Sequence, residues 1–341
     1  MESPQETVGE NGLGNTPVTM KAVVQHRYGV GNIEVRDVET PVATEDRVLI
    51  KVHSSSVNAY EWHMTSGKPY FMRLMEGLTK PKQSKVGADI SGTVVATGPD
   101  VTRFTVGDEV FGDIGFGAYA EYAITREANL ARKPGGVSFE DAAAAPLAGL
   151  TALQGLRDLG NLQLGQNVLV VGASGGVGTY AVQIAKAMGA EVTAVCSTQN
   201  VETAKSIGAD RVIDYTKEDF INSGEKFDLI FDGPANSSLR KLRKLMKPDG
   251  TYVMFGGPKG RFVGPLLRLI RTMLAFRFWS QNFAGMFLAR VDHEDLARLG
   301  ELLESGEIEG VIVEKVDLDG VKGALERQGE FHARGKTVVT V

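Results

Sequence analysis

Cysteine is almost absent from this chain: Cys196 is its only one. A lone thiol can form no disulfide within one chain and cannot build a cysteine-rich zinc site. It lies in the β-branched run EVTAVC, where a small buried apolar residue suffices. An excess of positive charge is missing too. With 37 Lys and Arg against 42 Asp and Glu the net charge is -5, which argues against nucleic acid as the main partner. No apolar run is long enough to span a bilayer. The opening residues, MESPQETVGENGLGNTP, contain neither an apolar core nor a basic leader. They are polar, acidic and dotted with Gly and Pro, the composition of a disordered tail. Together these absences point to a cytoplasmic protein.

What the chain does contain is organised around Val168 to Thr198, VLVVGASGGVGTYAVQIAKAMGAEVTAVCST. A Val-rich run ends at Gly172, a glycine-dense turn follows, and apolar residues then recur at helical spacing at Val177, Ala181, Ile184, Ala185 and Met188. Gly189 stops that helix, and a second strand opens directly after it. The unit is a strand-helix-strand crossover with Gly172, Gly175 and Gly178 spaced by three and Gly176 between them. Such a turn leaves the strand sharply, lets the backbone approach a pyrophosphate, and packs the helix closely on the sheet. The N–H groups from Ser174 through Val177 to Gly178, reinforced by the helix dipole, are the expected phosphate cradle. A nucleotide triphosphate loop is excluded, since no Gly-Lys-Ser/Thr closes the turn.

The end of the second strand discriminates between dinucleotides. An acidic residue there would bond the ribose hydroxyls and repel a 2'-phosphate. Instead the chain has Ser197, Thr198 and Asn200 with Lys205 nearby, so NADPH is expected over NADH. The same residue types also cap the helix that follows.

At 341 residues the chain is long enough for two domains. From Met20 to about Ala131 it reads as short strands punctuated by turns, a barrel-like β domain. Ala59 to Lys85 is its irregular part, with Tyr60, Trp62, His63 and Tyr70. From about Phe139 the texture becomes alanine-rich and helical, and beyond the glycine motif strands alternate with helices. That is an α/β doubly wound parallel sheet. Thr251 to Val291 contains no acidic residue, but basic residues from Lys259 to Arg290 are interleaved with large apolar ones. Over 259–279 this is a basic amphipathic stretch: a helix packed on the cleft or a second subunit, or a weak contact with an anionic membrane surface or an amphiphilic substrate. Asp292 is the expected cap of a further helix. The closing run GKTVVTV resembles the early strands and is expected to return to the first domain.

SVNAYEWHMTSG, GADISGTVVATGPDVTRFTVGDEVFG, AAAAPLAGLTAL, GASGGVG and GADRVIDY, in that order, resemble the medium-chain dehydrogenase/reductase superfamily, in its zinc-independent quinone oxidoreductase-like branch. The resemblance runs from Met20 to Val341. It implies a GroES-like β-rich catalytic domain interrupted by a Rossmann domain: a tail over 1–19, the catalytic domain over 20–140, the Rossmann domain over 141–284 and a completing segment over 285–341. Zinc-dependent relatives carry a Cys in the first piece and Gly-His-Glu in the second. Here the second piece reads Gly87-Ala88-Asp89, so no catalytic zinc is expected.

A site without metal suits a quinone or an α,β-unsaturated carbonyl, which accepts hydride at carbon while charge collects on oxygen. Asn58 and Tyr60 are the candidate donors to that oxygen and His63 the candidate proton source. The resemblance adds Thr151 beside the nicotinamide and Tyr215 beside the adenosine phosphate, and it implies a homodimer. Phe255, Gly256 and Gly257, at a strand's end, should border the nicotinamide. His53 and His332 have no assigned role. Two alternatives stand. One is an enoyl-thioester reductase using Lys68, Arg73, Lys80, Lys82 and Lys85 as an anionic-ligand patch. The other is a cofactor-binding sensor or membrane-associated protein with little turnover.

Overall fold

The computed structural model describes residues 16–257, 264–330 and 334–341. The first part of the expected tail lies outside these residues, as do Lys259, Arg261 and His332. Strands β1 (Thr19–Gln25) and β2 (Ile33–Glu39) form an antiparallel hairpin. Next come β3 (Arg47–Val57), β4 (Asp89–Thr97), β5 (Glu109–Asp113), β6 (Tyr122–Arg126) and β7 (Leu130–Arg132). The parallel sheet follows with β8 (Asn167–Val171), β9 (Glu191–Cys196), β10 (Arg211–Asp214), β11 (Phe227–Asp232), β12 (Met246–Met254) and β13 (Asn282–Met286). Strands β14 (Ile312–Val316) and β15 (Lys336–Thr340) close the chain.

Six strands assemble in the order β10-β9-β8-β11-β12-β13, every pair parallel. Alternate residues of β8 serve opposite faces, as strand geometry requires. Val168 and Val170 join a core with Ala181, Ile184 and Leu299, whereas Leu169 and Val171 join Val195, Ile230, Leu242 and Tyr252. Burial on both faces is why these strands read as continuous apolar runs. The order reverses between β8 and β11, so a ligand crevice opens at their carboxyl ends.

A second sheet runs β14-β15-β3-β4-β5-β7, with β6 added on β3. Its last strand is the returning C-terminus, antiparallel to β3. The alanine-rich segment is divided at Pro146, with helices over Phe139–Ala144 and Pro146–Gln154. Asp292 caps the helix His293–Ser305 as expected, accepting from the N–H groups of Glu294 and Asp295. The segment expected to be irregular, Ala59 to Lys85, opens with a helix over Ala59–Ser66 and has no strand or helix from Gly77 to Lys85. The start signal of that helix is the Asn58-x-x-Glu61 capping box.

Candidate active site

Strand register assembles the site. β3 meets β4 at Ser56 and Asp89, β4 meets β5 at Asp89 and Asp113, and β15 meets β3 at Thr337 and Val57. These alignments bring Ser56, Asn58, Asp89, Asp113 and Lys336 to one end of the sheet. Asp89 is 0% and Lys336 1% exposed, so their charges cannot be hydrated and must be met by neighbours.

The neighbours are in place. Asp89 Oδ2 accepts from Ser56 Oγ at 2.6 Å and Asn58 Nδ2 at 2.9 Å, and Lys336 Nζ approaches it at 3.5 Å. Its Oδ1 accepts the N–H of Leu147 at 2.8 Å. Lys336 also donates to Asn58 Oδ1. Glu61 accepts from the N–H groups of Asn58 at 2.8 Å and Ala88 at 3.1 Å. Burial, then the Asp89 charge, pushes the Glu61 carboxyl up to about 8. The same two causes raise Asp113. Three carboxyl groups thus share one buried ammonium, and at neutral pH the cluster retains protons.

Glu61, Asp89, Asp113 and Lys336 carry no motif that marks them as site residues in the sequence. Only the capping box was a local signal for Glu61; the other three depend on pairings between distant strands.

Of the expected catalytic side chains, Asn58 is buried and engaged on both atoms of its amide, toward Asp89 and Glu61 on one side and Lys336 on the other. It shapes the turn and has no amide hydrogen aimed at substrate. His63 lies in the last turn of the helix, with Nδ1 at 2.6 Å from the Lys68 carbonyl and its ring edge-on to Trp62. Burial lowers its pKa, which disfavours the charged form that a proton donor needs. Tyr60 differs. Its hydroxyl makes no hydrogen bond among the described residues, and its ring lies 5.9 Å from that of Phe116. Burial first, then Glu61, Asp113 and Glu76, raise its pKa, so the phenol keeps its proton. Arg73 stacks over Tyr28 and Tyr70 and donates to Gly67 O at 2.9 Å, a structural role that removes it from the expected anionic-ligand patch. His53 is likewise structural, stacked on Phe139 at 4.1 Å.

The glycine loop leaves β8 through Gly172, at φ +83°. A Cβ on Gly178 would fall 2.1 Å from Gly172 O, so close helix-strand packing demands glycine there. Beside Gly175 the nearest such atom is 3.6 Å away, leaving room for a ligand. The N–H of Gly175 is not free for phosphate, because it bonds Gly172 O at 3.2 Å. Those of Gly176, Val177 and Gly178 sit in the first helical turn, where no intrahelical acceptor exists. Ser174 O accepts from Gly335 N–H at 2.8 Å, and the Lys336 stem lies where a Cβ on Gly176 would come within 3.0 Å. The dinucleotide loop and the Asn58 turn are therefore joined through one lysine. Thr151, bonded to Leu147 O at 2.7 Å, stands one helical turn from the N–H that holds Asp89.

At the far end of the crevice Asn200 Nδ2 donates to Ser197 Oγ at 3.0 Å. The surroundings are not free of negative charge, as the sequence suggested: Asp214, from the neighbouring strand, accepts from Thr198 Oγ1 at 2.6 Å. Hydrogen bonds from Thr198 and Thr216 hold that carboxyl well below its usual range, and Lys217 faces it at 3.3 Å. Lys205 pairs with Glu202. Tyr215 is 53% exposed at this end. On the other side Phe255 stacks on Phe231 at 4.3 Å, and Gly256 packs against Gly233 so tightly that a Cβ would lie 2.5 Å from Gly233 O. Phe255 to Gly257 thus follow β12 at the carboxyl edge of the sheet.

A dinucleotide fits this crevice: positive φ, bare backbone and free first-turn N–H groups coincide at one strand end. Zinc does not fit. Cys196 is buried in the sheet at β9, and the carboxylates around Asn58 already accept from Lys336, Ser56 and backbone donors.

Residues 44–135 match the alcohol dehydrogenase GroES-like domain, and residues 176–305 match the family described as zinc-binding dehydrogenase. The 2-methylene-furan-3-one reductase of Solanum lycopersicum is 34% identical over 340 residues, spanning 95% of this chain and 79% of that protein. A chloroplastic NADPH-dependent alkenal/one oxidoreductase of Arabidopsis thaliana is 31% identical over 355 residues, spanning 99% of this chain and 84% of that protein. Among solved structures, the quinone oxidoreductase from Coxiella burnetii matches with a TM-score of 0.82 at 28% identity, covering 95% of this chain and 99% of its own. The chain belongs to the medium-chain dehydrogenase/reductase superfamily, in its quinone oxidoreductase-like branch. More particularly, it is an oxidoreductase that uses a nicotinamide cofactor.

Proposed function

We propose that this protein reduces quinones or α,β-unsaturated carbonyl compounds with NADPH, without zinc. The observation that carries the proposal is the single lysine tying the dinucleotide loop to the turn that bears Asn58 and Tyr60. This supports a reading in which a nicotinamide held at the loop would face the protonated Tyr60 phenol. The bound nicotinamide supplies the hydride. The free N–H groups of Gly176, Val177 and Gly178 would hold the pyrophosphate, and Thr151 and Phe255 would border the ring, so that the chain would fix the cofactor's position. The Tyr60 hydroxyl donates to the carbonyl oxygen as charge collects there, and its raised pKa keeps that donor intact. A proton from solvent completes the saturated product.

NADPH is favoured by the Ser197 hydroxyl and by Lys217, whose ammonium at 3.3 Å offsets the charge of Asp214. The name of the Arabidopsis relative supports the same choice. The functional division into 20–140, 141–284 and 285–341 is supported by β15 pairing with β3, although β13 runs on to Met286. A homodimer is supported by the position of β13 at the sheet's edge, where an unpaired ladder invites a second copy. A cytoplasmic site of action fits the unpaired, buried thiol of Cys196. Among the described residues no helix is long and apolar enough to cross a membrane.

Steady-state NADPH oxidation with a panel of quinones, enals and enones should be acceptor-dependent, slower with NADH, and no faster with a coenzyme A enoyl ester than with the free enone. Tight NADPH binding without acceptor-dependent oxidation would refute reductase function. Tyr60→Phe should lower turnover about 100-fold, within the usual range for a lost hydrogen-bond donor to a developing oxyanion, while leaving NADPH affinity nearly unchanged. An unaffected rate would remove Tyr60 from the mechanism.

A further inference from the structure

We propose that one flank of the six-stranded sheet docks on an anionic lipid bilayer, through an apolar helix stripe that runs into a cluster of unpaired cations. The helix Gly264–Phe276 turns Thr272 and Phe276 inward, at 0% and 7% exposure. The opposite face should be polar in a helix bounded by water. Instead Leu267, Ile270 and Leu274 are 45%, 44% and 57% exposed, and Phe278, just beyond the helix, is 81% exposed. Within the helix, the spacing of three and four residues aligns Leu267, Ile270 and Leu274 in one stripe. Arg271 and Arg277, both exposed, flank it.

The stripe continues into Trp279, whose ring lies 5.0 Å beneath the Arg243 guanidinium. There a cleft of about 680 Å³ is lined by Trp279 and by Lys226, Arg240, Arg243, Lys244 and Lys247, with no carboxylate in its wall. Lys247 pairs with Asp228. Arg240, Arg243 and Lys244 have no carboxylate partner among the described residues. Sequence alone placed the basic character within 259–279. The structure shows that most of the cations come from the helix Leu239–Leu245 and the start of β12, elements that only the fold brings beside the stripe.

Charge selects the occupant. In a chain of net charge -5, this face collects Arg240, Arg243 and Lys244, which no carboxylate among the described residues neutralises. Stacking it on the same face of a second copy would set cation against cation. A bilayer with anionic headgroups offers phosphates to the cleft and hydrocarbon to the stripe side by side, which is the pairing presented here. The cleft lies at the amino ends of β12 and β13, opposite the carboxyl edge that holds the cofactor. Docking therefore leaves the crevice open.

Co-sedimentation of the full chain with vesicles tests this. Vesicles of phosphatidylcholine with one-third phosphatidylglycerol should bind the protein at low salt, release it at high salt, and outcompete pure phosphatidylcholine. Arg243→Glu combined with Lys244→Glu should weaken partitioning at least about tenfold, since each lysine or arginine near a charged surface contributes measurably. Phe278→Ser should weaken it by about tenfold through lost apolar burial. Both variants should keep wild-type turnover with a soluble enone, which shows that they are folded. Failure of the wild type to bind, equal binding to neutral vesicles, or wild-type binding by both variants would overturn the proposal. So would conversion of a dimer to a monomer by Phe278→Ser in sedimentation velocity, which would assign the stripe to a subunit interface.

Discussion

Lys336→Met should destabilise the fold by about 3–5 kcal/mol at about pH 8, the usual loss when one partner of a buried ion pair is removed. The ammonium is the positive charge that meets Asp89 and the oxygen of Asn58, and it lowers the pKa of both Glu61 and Asp113. Without it the cluster must hold protons instead. The sign follows from linkage. Glu61 is raised from 4.5 to about 8, so between those values the folded chain binds a proton that the unfolded chain releases. Stability from this group therefore falls as pH rises across that window. Removing Lys336 raises these carboxyl groups further, so the variant's deficit should be smallest near the acid end and should grow as pH passes the wild-type values of about 7 for Asp113 and about 8 for Glu61. Urea denaturation at both ends would show it. An equal loss at both, or one below about 1 kcal/mol, would mean that the lysine merely packs.

Gly175→Asp should have opposite effects on folding and on cofactor binding. Gly175 is the N-cap of the helix Gly176–Ala187, with φ -80° and ψ 170°, a backbone open to any residue. No atom closer than 3.6 Å meets its Cβ. Asp at an N-cap is better than Gly by a few tenths of a kcal/mol, so the melting temperature should hold or rise slightly. The same carboxylate would stand against the pyrophosphate. At about 4 Å and an effective dielectric of about 20, that repulsion is about 4 kcal/mol, or about 1000-fold in affinity. Calorimetric titration with NADPH reads the second effect, and thermal unfolding the first. Unchanged NADPH affinity would place the dinucleotide elsewhere.

Much of the fold was legible because it is local. The three glycines, the helix stop at Gly189 and the alternation of strands and helices each concern residues within a few turns of one another. The candidate site was only partly legible. Asn58 is polar and near the right place, yet its amide serves a capping box and a buried charge cluster. His63 titrates in the useful range when exposed, but burial against Trp62 and the Lys68 carbonyl removes that advantage. The acidic residue near the ribose end, Asp214, arrives from the adjacent strand β10 and not from β9, the strand that follows the glycine loop.

The order of residues alone determined where the chain builds a phosphate cradle, since such a cradle is made of backbone N–H groups whose geometry glycine spacing dictates. Only the tertiary structure decided what lies beneath it. Lys336 and Asp89 are separated by most of the chain and meet because β15 returns to pair with β3. A buried charge is stable only where register delivers its partner, and register between distant strands is not a local property.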